Sequence, residues 1–166
     1  MAPTTSRIAE AAGVSPRTLF AHFPEVEALF AATAESVSQD VLLLRQAPDP
    51  DLPLVERLEL FFDNRDEIYR LLTPFSLSVR IREQSSPVLS SRRATMVELS
   101  LGDVAATFAP ELERLPAQEH DELVAAVETI STWSTWYHLR EELGLPDEVA
   151  RRIMRRLVLQ VLGAAA

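Results

Sequence analysis

The chain has 166 residues, 47% of them hydrophobic, a formal net charge of −9, no cysteine, and sixteen basic residues that are all arginine. That length is enough for a real core, either one domain or a small module fused to a larger one. The composition excludes disulfides, thiolate metal sites, cysteine nucleophiles, lysine Schiff bases and the phosphate-loop lysine, and the acidity argues against nucleic-acid binding over the whole surface, since phosphate affinity comes from clustered cations.

The opening residues, Met1-Ala2-Pro3-Thr4-Thr5-Ser6-Arg7, hold neither an apolar stretch nor a cleavage site. No apolar run approaches the roughly 18 residues a membrane span needs. A cytoplasmic protein without a membrane partner is the expectation. From Ser6 to Phe23 the residues fit two short helices crossing at a tight turn. Ile8 and Ala12 lie four apart on one face, Ala9 is small enough for a second helix to cross closely, and Gly13 can take the positive φ that ends a helix in a turn. Ser15 caps the next helix with Pro16 at its first position, while Leu19 and Phe23 point back to the core. Arg17, Thr18 and His22 then lie on another face, the geometry that lets a second helix enter a major groove. A generic helical hairpin is the plainer reading of Ala-x-x-x-Gly alone; the combined pattern is much more specific.

Val26, Leu29, Phe30, Val37, Val41 and Leu44 recur at the spacing of one long connecting helix. Pro48, Pro50 and Pro53 end it, because each proline disfavours helix at the residue before it. The module boundary therefore falls there, giving a helix-turn-helix module with its connecting helix over residues 1–47 and a helical domain over residues 48–166. In the second module Val55, Leu58, Phe61, Phe62, Ile68, Leu71 and Leu72 mark a helix, followed by further helices near residues 87–109, 117–142 and 147–162. Leu123, Val127, Ile130, Ser134 and Tyr137 trace one face of the third, and Val149, Ile153, Leu157 and Val161 one face of the last. Residues 75–82 alternate apolar and polar with the period of a strand. With no second alternating run to pair with, they are assigned to helix, and the fold class is all-α.

Ile8-Ala9-Glu10-Ala11-Ala12-Gly13-Val14-Ser15, Thr18-Leu19-Phe20-Ala21-His22-Phe23-Pro24 and Glu27-Ala28-Leu29 together resemble the DNA-binding signature of the tetracycline-repressor (TetR) family. Trp133 to Leu145 and the helix after it resemble that family more loosely. The resemblance implies a DNA-binding transcriptional regulator, a repressor released by a small-molecule effector, that works as a homodimer through its last two helices on double-stranded operator DNA. It places Thr5, Ser15, Pro16, Arg17, Thr18, Phe20 and His22 at DNA-contacting positions. Phe20 stands where the family usually has tyrosine and Val26 where it usually has lysine, so two phosphate contacts are lost. The sequence also opens at residues that match the start of the family's second helix, leaving the helix-turn-helix incomplete and part of the face of Ile8, Ala12, Leu19 and Phe23 uncovered. These departures motivate an alternative: a ligand-binding and dimerisation module that does not bind DNA by itself.

The effector pocket implied by the resemblance lies between the last helices and those of residues 53–110, with Phe62, Tyr69, Phe75, Met96, Trp133 and Tyr137 as candidate ligand contacts; each also suits ordinary core packing. Arg151, Arg152, Arg155 and Arg156 read as a solvated face, Asp147 and Glu148 preceding the first two at ion-pair spacing. His120 and His138 lack metal-ligand spacing, and four glycines form no phosphate loop or nucleophile elbow. No enzyme activity, metal or cofactor is expected.

Overall fold

The computed structural model describes residues 5–11, 13–23 and 25–164, with the side chains of Thr5, Ser6, Arg7, Val26, Phe75 and Ala164 outside the described set. Among the described residues the regular secondary structure is all helical, without strands. Two short helices, α1 (Thr5–Ala11) and α2 (Pro16–His22), form the N-terminal hairpin. The long α3 (Val26–Leu44) follows, and the proline-rich stretch separates it from α4 (Leu54–Glu83). Next come α5 (Pro87–Thr107) and a single turn, α6 (Ala109–Leu112). Then α7 (Ala117–Ile130), α8 (Trp133–Tyr137), a π-helical turn (His138–Glu142) and α9 (Asp147–Ala164) complete the chain.

The core is built on α4. Leu58, Phe61, Phe62 and Tyr69 meet Val104 and Phe108 of the α5 region, Leu123, Val124 and Val127 of α7, and Met154 and Val158 of α9. Phe61 lies edge-on to both Phe62 and Phe108, with centroids 5.5 Å apart in each pair, the arrangement favoured by aromatic quadrupoles. On α9 the buried row is Ala150, Met154, Val158 and Leu162. The neighbouring row Val149, Ile153, Leu157 and Val161, which periodicity singled out, is half-buried or exposed, with Leu157 39% accessible. A stripe that shifts by one residue turns about 100° around a helix, so two adjacent apolar rows cannot both be central.

Residues 75–82 are helical as assigned, within α4. Their strand-like alternation leaves Leu77 and Ile81 exposed on this helix while Val79 is half-buried. Pro74 sits inside α4 without breaking it. Around it Thr73 Oγ1 donates to the Tyr69 carbonyl at 2.6 Å and Ser76 Oγ to the Leu72 carbonyl at 2.8 Å; these side chains bond the backbone beside the rung that proline cannot supply.

The expected single helix over 117–142 is broken in two, because Ser131 and Thr132 divert the backbone. The buried Ser131 hydroxyl donates to the Val127 carbonyl at 2.8 Å, and Thr132 caps α8 by accepting from the Thr135 amide at 3.2 Å. Such local side-chain bonds compete with helix continuation. The arginines of α9 also differ from a purely solvated face. Arg151 reaches Asp66 at 2.5 Å, Asp63 at 2.7 Å and Glu59 at 3.2 Å on α4, and Arg155 also pairs with Glu59. Asp147 pairs instead with Arg140 at 2.6 Å. Arg152 and Arg156 are exposed.

Candidate functional site

The N-terminal hairpin turns at Gly13, whose φ of +67° lies in the left-handed region. There the Gly13 amide donates to the Glu10 carbonyl at 3.1 Å and the Val14 amide to the Ala9 carbonyl at 3.0 Å, the paired bonds of a Schellman helix end. Ser15 has extended backbone, and its hydroxyl accepts from the Thr18 amide at 3.0 Å, capping α2 with Pro16 in its first turn. Thr18 Oγ1 lies 2.8 Å from Ser15 Oγ, so the two hydroxyls form one polar pair at the helix start. Ala9 and Leu19 are buried, while Ile8 and Phe23 are half-buried. Leu19 is thus covered despite the expected gap on this face, because α1 and α2 pack on each other.

Ser15, Pro16, Arg17, Thr18, Phe20 and His22 are all exposed, Phe20 at 46%. The side chain of Thr5, the remaining expected DNA contact, lies outside the described residues. Capping therefore turns a polar, solvent-facing helix start outward while Leu19 holds the opposite side. This is the form of a helix-turn-helix reader.

A second site lies in the larger module. A cavity of about 240 Å³ opens between α3, α4, α5 and the α7–α8 break. Val37 and Val41 of α3, Ile68 and Leu72 of α4, Leu89 and Met96 of α5, and Trp133 of α8 give it apolar walls; Arg65, Ser100, Glu128 and Ser134 add polar groups. That mixture, mostly apolar with a few fixed polar groups, is the usual make-up of a small-molecule site, though the volume is below the roughly 300–1,000 Å³ of drug-sized pockets.

Of the expected contacts, Tyr69, Met96 and Trp133 line this cavity. Phe62 is fully buried in the core beside Phe61, and Tyr137 packs against Trp133 with centroids 4.8 Å apart instead of lining the wall. The Phe75 side chain lies outside the described residues. Tyr69 donates its hydroxyl to the Ser131 carbonyl at 2.6 Å, and Trp133 Nε1 donates to Thr73 Oγ1 at 3.0 Å, which fixes two walls. Burial pushes the Tyr69 phenol well above its ordinary range, against a smaller opposing pull from the Arg65 charge.

Sequence reasoning missed Arg65, Ser100, Glu128 and the α3 wall. Arg65 was detectable: it interrupts the apolar stripe Leu58, Phe61, Phe62, Ile68, Tyr69 and Leu72 at helical spacing, where an arginine is rare unless paired or bound. The α3 contribution carried no such mark, since Val37 and Val41 read equally well as packing residues.

An all-helical body bearing an N-terminal helix-turn-helix defines the class of DNA-binding helical regulators. The family model described as "Bacterial regulatory proteins, tetR family" matches residues 2–33, which cover the hairpin and the start of α3. With the fold, that match supports a TetR-family regulator, a family of DNA-binding transcriptional regulators. Comparison with curated proteins and with solved structures gave no significant match. Among the described residues no helix is long and apolar enough to cross a membrane, and no group of acidic or histidine side chains could hold a metal ion.

Proposed function

We propose that this chain is a cytoplasmic, dimeric repressor whose grip on operator DNA falls when a small molecule fills the cavity between α3, α4, α5 and α8. The observation that carries the reading is the shared wall. Val37 and Val41 of α3 line the cavity, and α3 is also the helix that follows the recognition helix α2. A ligand that moves this wall would move the reader, so ligand and operator would compete through one conformational equilibrium. Further ties run along α3: Glu35 pairs with Arg92 of α5, the Phe30 ring lies 4.1 Å beneath the Arg82 guanidinium of α4, and Arg45 bonds to Asp103. For dimerisation, the outer row of α9, with Leu157 exposed and Ile153 and Val161 half-buried against the core, would offer apolar surface for the last two long helices to pair with those of a second copy.

DNA contacts are assigned to Thr5, Ser15, Pro16, Arg17, Thr18, Phe20 and His22. The test is a titration of the intact protein against DNA from upstream of its own gene at several salt concentrations. Binding should weaken as salt rises, and Arg17→Ala should reduce the logarithmic salt slope by about one. Failure to bind at low salt would overturn the reading. The exposed apolar Phe20, at a position where a phosphate-bonding hydroxyl would be expected, favours one alternative. In that case the chain binds ligand and dimerises but reaches DNA only in mixed dimers, and binding would appear only after a second regulator is added.

A further inference from the structure

We propose that the cavity takes a small apolar carboxylate, with its acid group held by Arg65. This rests on the cavity being the ligand site. Two arginines of α4 are almost equally buried, Arg57 at 3% and Arg65 at 7% accessible, and their surroundings differ. Arg57 is engaged through all three nitrogens: it donates to the carbonyls of Leu52 and Thr107 and makes a two-pronged pair with Glu111 at 2.6 and 2.8 Å. Among the described residues Arg65 makes one hydrogen bond, from Nη2 to Ser100 Oγ at 2.9 Å, and it lies 4.8 Å over the Phe61 ring. Among the described residues no carboxylate is in ion-pair contact with it. A guanidinium has five donors, and a buried cation without a partner anion is costly. Arg65 also lines the cavity, so its partner can be supplied from there.

The remaining charges around the cavity favour one extra anion. Arg45 is paired with Asp103, Arg93 with Glu83 and Arg92 with Glu35. That leaves Arg65 and Arg80 against Glu128, one positive charge in excess. Glu128 and Arg65 share Ser100, whose hydroxyl lies 3.4 Å from Glu128 Oε1 and 2.9 Å from Arg65 Nη2, so Glu128 is a near counter-charge outside ion-pair contact; Arg80 bonds the hydroxyl of Ser134 at 3.1 Å. A carboxylate carries the one charge needed and two oxygens suited to the guanidinium fork. Ile68, Leu72, Leu89 and Met96 would receive an apolar body, and the small volume restricts that body to a ring or a short chain.

The experiment uses the intact protein without DNA and compares 4-phenylbutyrate and octanoate with 4-phenylbutanamide and 4-phenylbutylamine, by calorimetry and thermal melting. The acids should bind and raise the melting temperature, the amide should bind at least about tenfold more weakly, and the amine should not bind. Arg65→Gln should abolish the preference for acid over amide while still binding the amide. Should that variant fail to fold, Arg65→Lys should keep the preference for acid with reduced affinity, because it retains the charge but loses the fork. Equal or tighter binding of amide or amine, no melting shift with either acid, or an unchanged acid-to-amide ratio in Arg65→Gln would each overturn the proposal. Because DNA is absent, such failure leaves the regulator reading standing. Acid binding that leaves operator affinity unchanged would instead remove only the release step.

Discussion

Arg45, which ends α3, holds Asp103 of α5 with Nε at 2.8 Å and Nη2 at 2.5 Å, while Nη2 also reaches the Leu99 carbonyl at 2.7 Å. Both side chains are 17% accessible. The C-terminal end of the helix that follows the reader is thereby fixed to a wall of the cavity. Asp103→Asn should cost about 1.5–3 kcal/mol, the range for hydrogen bonds to charged groups, measured by urea unfolding. If α3 transmits ligand binding to the hairpin, the same variant should also reduce the change in operator affinity on adding ligand. An unchanged coupling would show that this anchor is structural only.

Tyr69 links the cavity to the helix break through its bond to the Ser131 carbonyl. Tyr69→Phe should cost about 1–2 kcal/mol, since a buried carbonyl loses its donor. The phenol loses its proton less readily in the folded chain than in the unfolded one, chiefly through burial. Its contribution is therefore fully present below the ordinary tyrosine value near pH 10 and is lost as pH rises through the higher folded value. Unfolding curves from pH 8 to 11 should show falling stability in the wild type and a flatter profile in Tyr69→Phe.

The hairpin depends on two local devices. A Cβ at Gly13 would meet no atom within 4 Å, so Gly13→Ala pays only for the positive φ, about 1–2 kcal/mol; Gly13→Asn should cost less, because asparagine tolerates that region. Ser15→Ala removes the α2 cap and should cost about 1 kcal/mol. Amide exchange in α2 should accelerate in both alanine variants while α4 and α9 remain protected. Uniform acceleration throughout the chain would contradict a local role.

Phe62 is fully buried and away from the cavity wall. Phe62→Ala should therefore cost about 3–5 kcal/mol, as expected for a large core truncation. Met96→Ala, at a half-buried position on the cavity wall, should cost less stability but change ligand affinity more. The two effects can be separated by combining denaturant unfolding with ligand titration. The reverse ranking would place Phe62 in the ligand site.

The hairpin was legible because its determinants are local. Gly13, Ser15, Pro16 and Leu19 each act within one or two turns of their own position, and the resemblance of residues 8–29 rests on the same spacing. The α7–α8 break was not legible, although Ser131 and Thr132 were visible in the sequence. Serines and threonines also occur inside continuous helices, as Thr33 and Ser38 do here in α3. What distinguishes Ser131 is burial and the Tyr69 hydroxyl bonded to its carbonyl from 62 positions earlier.

The sequence by itself determined an all-helical chain, its N-terminal reader and the stripes from which a core could form, since periodicity, caps and turns depend on neighbours along the chain. Tertiary structure decided which stripe is central: on α9 it buries the row through Met154 and leaves the row through Leu157 at the edge, half-buried or exposed. It also decided that Arg57 meets Glu111 while Arg65 faces a cavity without an ion-pair partner among the described residues. Both are arginines on one apolar helix face. Their difference comes from the other helices packed around them, and helical spacing along one segment carries no information about those neighbours.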